Sequence, residues 1–111
     1  MPTSNGPFEE LANLDKLVHE PARLAILTAL DACQSADFLF LLRLTGLSKG
    51  NLSTHLARLE EAGLVAVEKR FIGKRPNTLV RMTPQGHTAI SRHWQQLDSL
   101  RNDLRGWRPE L

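Results

Sequence analysis

TGLSKGNLSTHLARLEEAGLV, Thr45 to Val65, is the stretch on which the fold turns. Ser48 can cap a helix in which Leu52, Leu56 and Leu59 recur at i, i+4 and i+7, so one face is committed to a core, and the helix stops before Gly63. The opposite face presents Gly50, Asn51, Ser53, Thr54, Ala57 and Arg58, with the acidic Glu60 and Glu61 kept to the C-terminal end. Small side chains allow close approach to another surface. Asn, Thr and Arg can meet base edges, and the free N–H groups beside Ser48 and Lys49 attract phosphate. An ordinary solvated helix carries a similar face, so the flanking elements have to decide.

Working outward, Thr45-Gly46-Leu47-Ser48 is a short glycine-containing turn that joins this helix to a preceding one, Phe38 to Thr45, capped by Asp37 and closed by Gly46. On the other side, Leu64 to Phe71 alternates Val65, Val67 and Phe71 with Glu68 and Arg70, the period of a strand. Ile72 to Asn77 holds Gly73 and Pro76 between basic residues, a turn by its chemistry, and Thr78 to Met82 is a second strand. Lys69, Arg70, Lys74, Arg75 and Arg81 cluster on this hairpin. Thr83 followed by Pro84 opens a long last helix, to about Trp107. Upstream, Pro21 opens a helix with Leu24, Leu27 and Leu30 as its stripe, and Gln34 to Ala36 reads as a polar break. Phe8, Leu11, Leu14 and Val18 mark a first amphipathic helix that ends near His19. The expected fold is α+β, mainly α: a winged helix-turn-helix with a two-stranded wing and a long C-terminal dimerisation helix. Its parts are a flexible tail over 1–7, a DNA-binding domain over 8–83 and the dimerisation helix over 84–108.

Size and composition narrow the function. At 111 residues the chain is one small domain, too short for a cofactor fold of its own, so an enzyme is not expected. A single cysteine excludes a disulfide framework and a multi-cysteine zinc cage and points to a reducing, cytoplasmic setting. There is no long apolar run for a membrane span, and no basic-then-apolar leader. The net charge of +2 hides an asymmetry. Residues 1–42 carry two basic against six acidic residues, a net of −4, whereas residues 43–81 carry eight against three, a net of +5. The middle third is the part suited to a polyanion.

Thr45 to Val65, followed by GKRPNTLVRMTPQG (Gly73 to Gly86) and preceded by LVHEPARLAIL (Leu17 to Leu27), resembles the MarR/ArsR-like winged-helix transcriptional regulators, in particular the small single-domain group. The resemblance covers about Leu14 to Trp94. It implies a dimeric regulator of double-stranded DNA, more often a repressor, with Ser48, Lys49, Asn51, Ser53, Thr54 and Arg58 on the recognition helix and Lys74 and Arg75 on the wing; the basic cluster of the hairpin adds Lys69 as an expected contact. The paired-cysteine metal motif of many ArsR-type sensors is missing, and neither a metal nor a cofactor is expected.

In the last helix Ile90, Leu97 and Leu104 form one heptad series and His93, Leu100 and Trp107 another, with Trp94 beside them. So long a stripe is expected to pack on a partner chain, with Leu11 and Leu14 completing a homodimer interface. Two-fold symmetry would set the recognition helices ~34 Å apart, on an inverted repeat. The helix from Phe38 to Leu44 is apolar almost all round. Enclosure by its neighbours accounts for this; a small apolar effector or a protein contact would as well, and the last of these suits an adaptor that does not bind DNA. Cys33 reads as a buried small hydrophobe and His55 as a packed, hydrogen-bonded histidine. His19, His87 and His93 lack metal-ligand spacing.

Overall fold

The computed structural model describes residues 6–110. Five helices and three strands follow in the order α1 (Pro7–Ala12), α2 (Pro21–Cys33), β1 (Ser35–Asp37), α3 (Phe38–Thr45), α4 (Lys49–Glu61), β2 (Val65–Ile72), β3 (Arg75–Met82) and α5 (Pro84–Arg105). The expected tail over 1–7 lies mostly outside the described residues, and Pro7 already belongs to α1.

The first helix stops at Ala12, not near His19. Side chains there divert the backbone from the helical ladder: Asn13 Nδ2 donates to Glu9 O at 2.9 Å, and Asp15 Oδ1 accepts the Leu17 N–H at 2.9 Å. Leu14 and Val18 still reach the core, from a turn rather than from one helix face. Helix α2 begins as its residues demand, with Pro21 in the first turn and Glu20 Oε1 accepting the Ala22 N–H at 2.7 Å. It ends at Gln34, whose φ of 69° is unusual for a residue with a Cβ. The kink has an anchor on each side, since Gln34 N–H donates to Leu30 O and Gln34 O accepts from Met82 N–H, each at 2.8 Å.

That kink delivers a strand where a polar break was expected. Strand β1 pairs antiparallel with β3, Ser35 opposite Arg81 and Asp37 opposite Leu79, so the wing belongs to a three-stranded sheet in the order β1-β3-β2. Asp37 Oδ1 then caps α3 through the Phe40 N–H at 2.8 Å, and Gly46 closes that helix at φ 69°. Ser48 Oγ caps α4 through the Asn51 N–H at 3.1 Å. Thr83 Oγ1 accepts the Gly86 N–H at the start of α5 and donates to Gly63 O at 2.7 Å, which joins the last helix to the turn before β2. Gly86 is required by that closeness: a Cβ there would lie 2.0 Å from the Leu64 carbonyl oxygen.

The core gathers Ile26, Leu27 and Leu30 of α2, Leu41 of α3, Leu52 and Leu59 of α4, Val80 of β3 and Ile90 of α5, all 0% exposed. Three positions expected at a dimer interface are therefore occupied within the chain. Ile90 lies in this core, Leu14 is buried, and Leu100 is buried in the far half of α5, on which α1 packs. The far half of α5 thus does have an intrachain neighbour, with Phe8 meeting Trp107 edge to face at 4.9 Å between ring centroids. Cys33 is exposed at the end of α2, contrary to its expected burial. Helix α3 is not enclosed either: Leu41 is its one buried residue, while Leu39, Phe40 and Leu44 are exposed. The chain is elongated, with extents of 68 × 25 × 21 Å.

Candidate nucleic-acid interface

Two elements carry the candidate contacts. On α4, burial of Leu52, Leu56 and Leu59 turns Gly50, Asn51, Ser53, Thr54, Ala57 and Arg58 to solvent. Ser48 and Lys49 are exposed at its N-terminus, where unsatisfied N–H groups and the helix dipole favour an anion. At 1.5 Å per residue Arg58 sits about 15 Å along the axis from Ser48. It lies beside Leu17, Glu61 and Ala62, so it belongs to the helix's far end and not to the cluster at its start.

The hairpin β2–β3 is the second element. Its register pairs Ile72 with Arg75 across a two-residue turn, and Gly73 at the first turn position has φ 62°, the sense that matches the twist of the strands. Lys69 stands opposite Thr78 and lines a groove of about 370 Å³ with Ser53, Ala57 and Glu60 of α4. The hairpin and α4 therefore border one another directly. Glu60 is a brace at this border, its Oε2 accepting the Val67 N–H at 3.1 Å.

The basic residues divide into two sets. Arg70 Nε donates to Asn77 Oδ1 at 2.9 Å, and Arg81 pairs with Glu68 at 3.2 Å, both cross-strand contacts that hold the hairpin together. Arg23 donates to Leu17 O at 2.6 Å, to Lys16 O at 3.2 Å and to His55 Nδ1 at 3.1 Å. Since a guanidinium can only donate, His55 accepts, and the pair ties α4 to the start of α2. Glu20 Oε2 has no hydrogen bond and is steadied by charge, 3.7 Å from Arg23. By contrast, Lys49, Arg58, Lys69, Lys74 and Arg75 make no ion pair or side-chain hydrogen bond among the described residues. All five are exposed, on the helix and hairpin that were expected to meet DNA. The sequence could not show which cations were committed, because the partners Asn77 and Glu68 are defined by strand register.

A third cluster sits where the turn leading into the head, the unit from α2 to β3, meets α5. His19 Nδ1 and His93 Nε2 lie 2.8 Å apart, a hydrogen bond in which one ring must accept. Burial, followed by the neighbouring His19, holds the His93 imidazole below its ordinary pKa, with Asp15 pulling weakly the other way. Among the described residues no group of three or more His, Cys, Asp or Glu could hold a metal ion. Sequence spacing gave no sign of the histidine pair, since 74 positions separate its members.

A hairpin wing on a three-stranded sheet, a capped helix with an open polar face and a helix-turn-helix core define a winged-helix DNA-binding domain. The chain belongs to the winged helix DNA-binding domain family, whose match spans residues 22–100. It is similar to a transcriptional regulator homologue of Pyrococcus horikoshii OT3, with 30% identity, a TM-score of 0.80 and coverage of 88% of this chain and 96% of that one. An uncharacterised protein of Methanocaldococcus jannaschii is 29% identical over 80% of this chain and 97% of its own length. The fold is also that of Bordetella bronchiseptica BpsR, described with regulation of its DNA binding by 6-hydroxynicotinic acid, at a TM-score of 0.68, 18% identity and coverage of 93% and 76%. The chain is thus a winged-helix protein of the DNA-binding class, with the fold of that transcriptional regulator homologue along most of its length. Among the described residues no helix is long and apolar enough to cross a membrane.

Proposed function

We propose that this protein binds double-stranded DNA sequence-specifically and acts as a homodimer that occupies an inverted-repeat site, as a repressor. The observation that carries the reading is the set of five unpaired cations on α4 and the wing, in a fold whose other head arginines are mostly tied down. Asn51 and Arg58 are assigned to base edges, Ser48 and Lys49 to phosphates at the helix start, Ser53 and Thr54 to the groove face, and Lys69, Lys74 and Arg75 to the backbone or minor groove. Titrating duplex binding against salt tests this. Affinity should fall linearly on a log–log scale, and Lys74→Ala should reduce the slope by about 1 for every duplex alike. Binding that ignores salt would contradict it.

The dimer is supported by what α1 and α5 leave uncovered. Leu11, Leu97 and Leu104 line an open groove of about 370 Å³ with Arg101 and Arg105, over the buried Leu100; Trp107 stays exposed past the end of α5, and Trp94, hydrogen-bonded to Thr28 of α2, stays exposed on the same helix. A second copy would cover this seam, and a small apolar effector would act there by altering the spacing of the two heads. A second reading rests on α3, whose exposed Leu39, Phe40 and Leu44 form an apolar face suited to a protein contact. An adaptor working through that face would lose its partner on Phe40→Ser and keep no DNA preference.

A further inference from the structure

The wing ends in apolar side chains that the fold does not use. Phe71 is 72% exposed and Ile72 56%. Strand register explains how they come to be bare. Val65 and Val67, opposite Met82 and Val80, turn one face of the hairpin to the core, and the same face continues outward as Lys69 opposite Thr78 and Phe71 opposite Pro76. Helix α4 covers it only as far as Lys69. Phe71 and Pro76 therefore stand beyond the end of α4's cover, while Ile72 opposes Arg75 on the other face. At Gly73 nothing lies within 4 Å of where a Cβ would be, so the tip projects into open space.

What surrounds these side chains selects the partner. Lys69, Lys74 and Arg75 flank the tip with no ion pair among the described residues. An aromatic ring set among free cations on a ribbon two strands wide fits a polyanion with apolar surface beneath its charges. Duplex DNA is that surface: phosphate rails above stacked bases.

We propose that Phe71 is a wedge. With α4 in the major groove, the wing tip enters the adjacent minor groove, Lys74 and Arg75 hold the flanking phosphates, and the Phe71 ring inserts at a base step, unstacking it and kinking the duplex toward the major groove. Removal of the ring from water offsets part of the unstacking, and a pyrimidine–purine step, which kinks most easily, is the preferred target. The inference rests on the DNA-binding reading above, and its test separates the two.

The experiment uses the full chain and a duplex it binds, with donor and acceptor dyes at the ends and 2-aminopurine placed in turn along the site. Binding of the parent should bring the ends together by a bend of about 20–90° and brighten the 2-aminopurine at one step per half-site. Phe71→Ala, at an exposed tip, should keep its fold by circular dichroism but lose both signals and bind about tenfold more weakly; Ile72→Ala should change less. A mismatch at the brightened step, already unstacked, should bind the parent about tenfold tighter and leave Phe71→Ala unaffected. A bound duplex that stays straight and dark, or a Phe71→Ala protein that still bends it, overturns the wedge and leaves the DNA-binding reading standing. So does Phe71-dependent self-association with no optical change, which would assign the tip to a contact between copies. No duplex binding at all overturns both.

Discussion

The head and the stem of this molecule treat the same kinds of side chain differently. In the head, from α2 to β3, the leucines of α2 and α4 on the inner face are almost wholly removed from water. In the stem, made of α1, the far half of α5 and the residues just past it, Phe8, Leu11 and Trp107 remain 42–52% exposed although each lies on or beside an apolar stripe. The head thus completes its own core, with Leu39, Phe40 and Leu44 of α3 and Phe71 and Ile72 of the wing left bare outside it, whereas the stem has begun a core that a single chain does not finish. On this comparison the head supplies the stability of the fold and the stem the association of two copies.

The sharpest way to break the comparison is to remove core from the head. Leu59→Ala, at a fully buried position, should lower the unfolding free energy by about 2–5 kcal/mol, read from the midpoint of a urea transition. A change within experimental error would mean the head does not carry the stability. Substitution in the stem should do the reverse. Leu97→Glu, at a half-buried groove position, should leave the head's unfolding transition nearly unmoved. The same substitution should convert the protein to monomers in sedimentation and weaken binding to a two-half-site duplex by about 10²-fold or more, because the second head is no longer tethered.

Within the head, Arg58→Ala should lower discrimination between sites by about 1–3 kcal/mol if its contact is bidentate, in competition binding against base-substituted duplexes. Equal losses on every duplex would move Arg58 to the phosphates. The smallest effect belongs to the junction. Because His93 has a lowered pKa in the folded chain, between that value and the ordinary 6.5 the unfolded chain holds a proton that the folded chain does not. Stability is therefore full above about pH 6.5 and declines as pH falls through this window. Denaturant midpoints at pH 7.5 and 5.5 should differ, and His93→Gln should reduce the difference. A midpoint that rises on acidification would show the sign to be wrong.

Much of the head was legible because its signals are local. Ser48, Asp37 and Thr83 cap helices through their own neighbours, and Gly46 and Gly73 take the positive φ their turns require. Most of what the pattern does not reveal depends on partners distant in sequence. Strand β1 has three residues and no alternation to reveal it; it exists because β3 offers an edge. The first helix is an exception of local origin: Leu14 and Val18 keep helical spacing, which predicts a longer helix, while Asn13 and Asp15 capture the backbone. Ile90 and Leu100 fit a heptad stripe, yet one face of α5 serves the head core and α1 before any partner. The candidate site was legible as a set of residue types. Its division into free and committed cations was not, since Arg70 and Arg81 find Asn77 and Glu68 across the hairpin.

Selection of bound sequences from a random duplex pool tests most directly whether two such heads read DNA together. The account predicts an enriched inverted repeat, with half-sites centred about one helical turn, ~34 Å, apart, recovered by the parent and lost with Leu97→Glu. A pool that returns without enrichment, or with a single unpaired half-site bound by monomers, would contradict it.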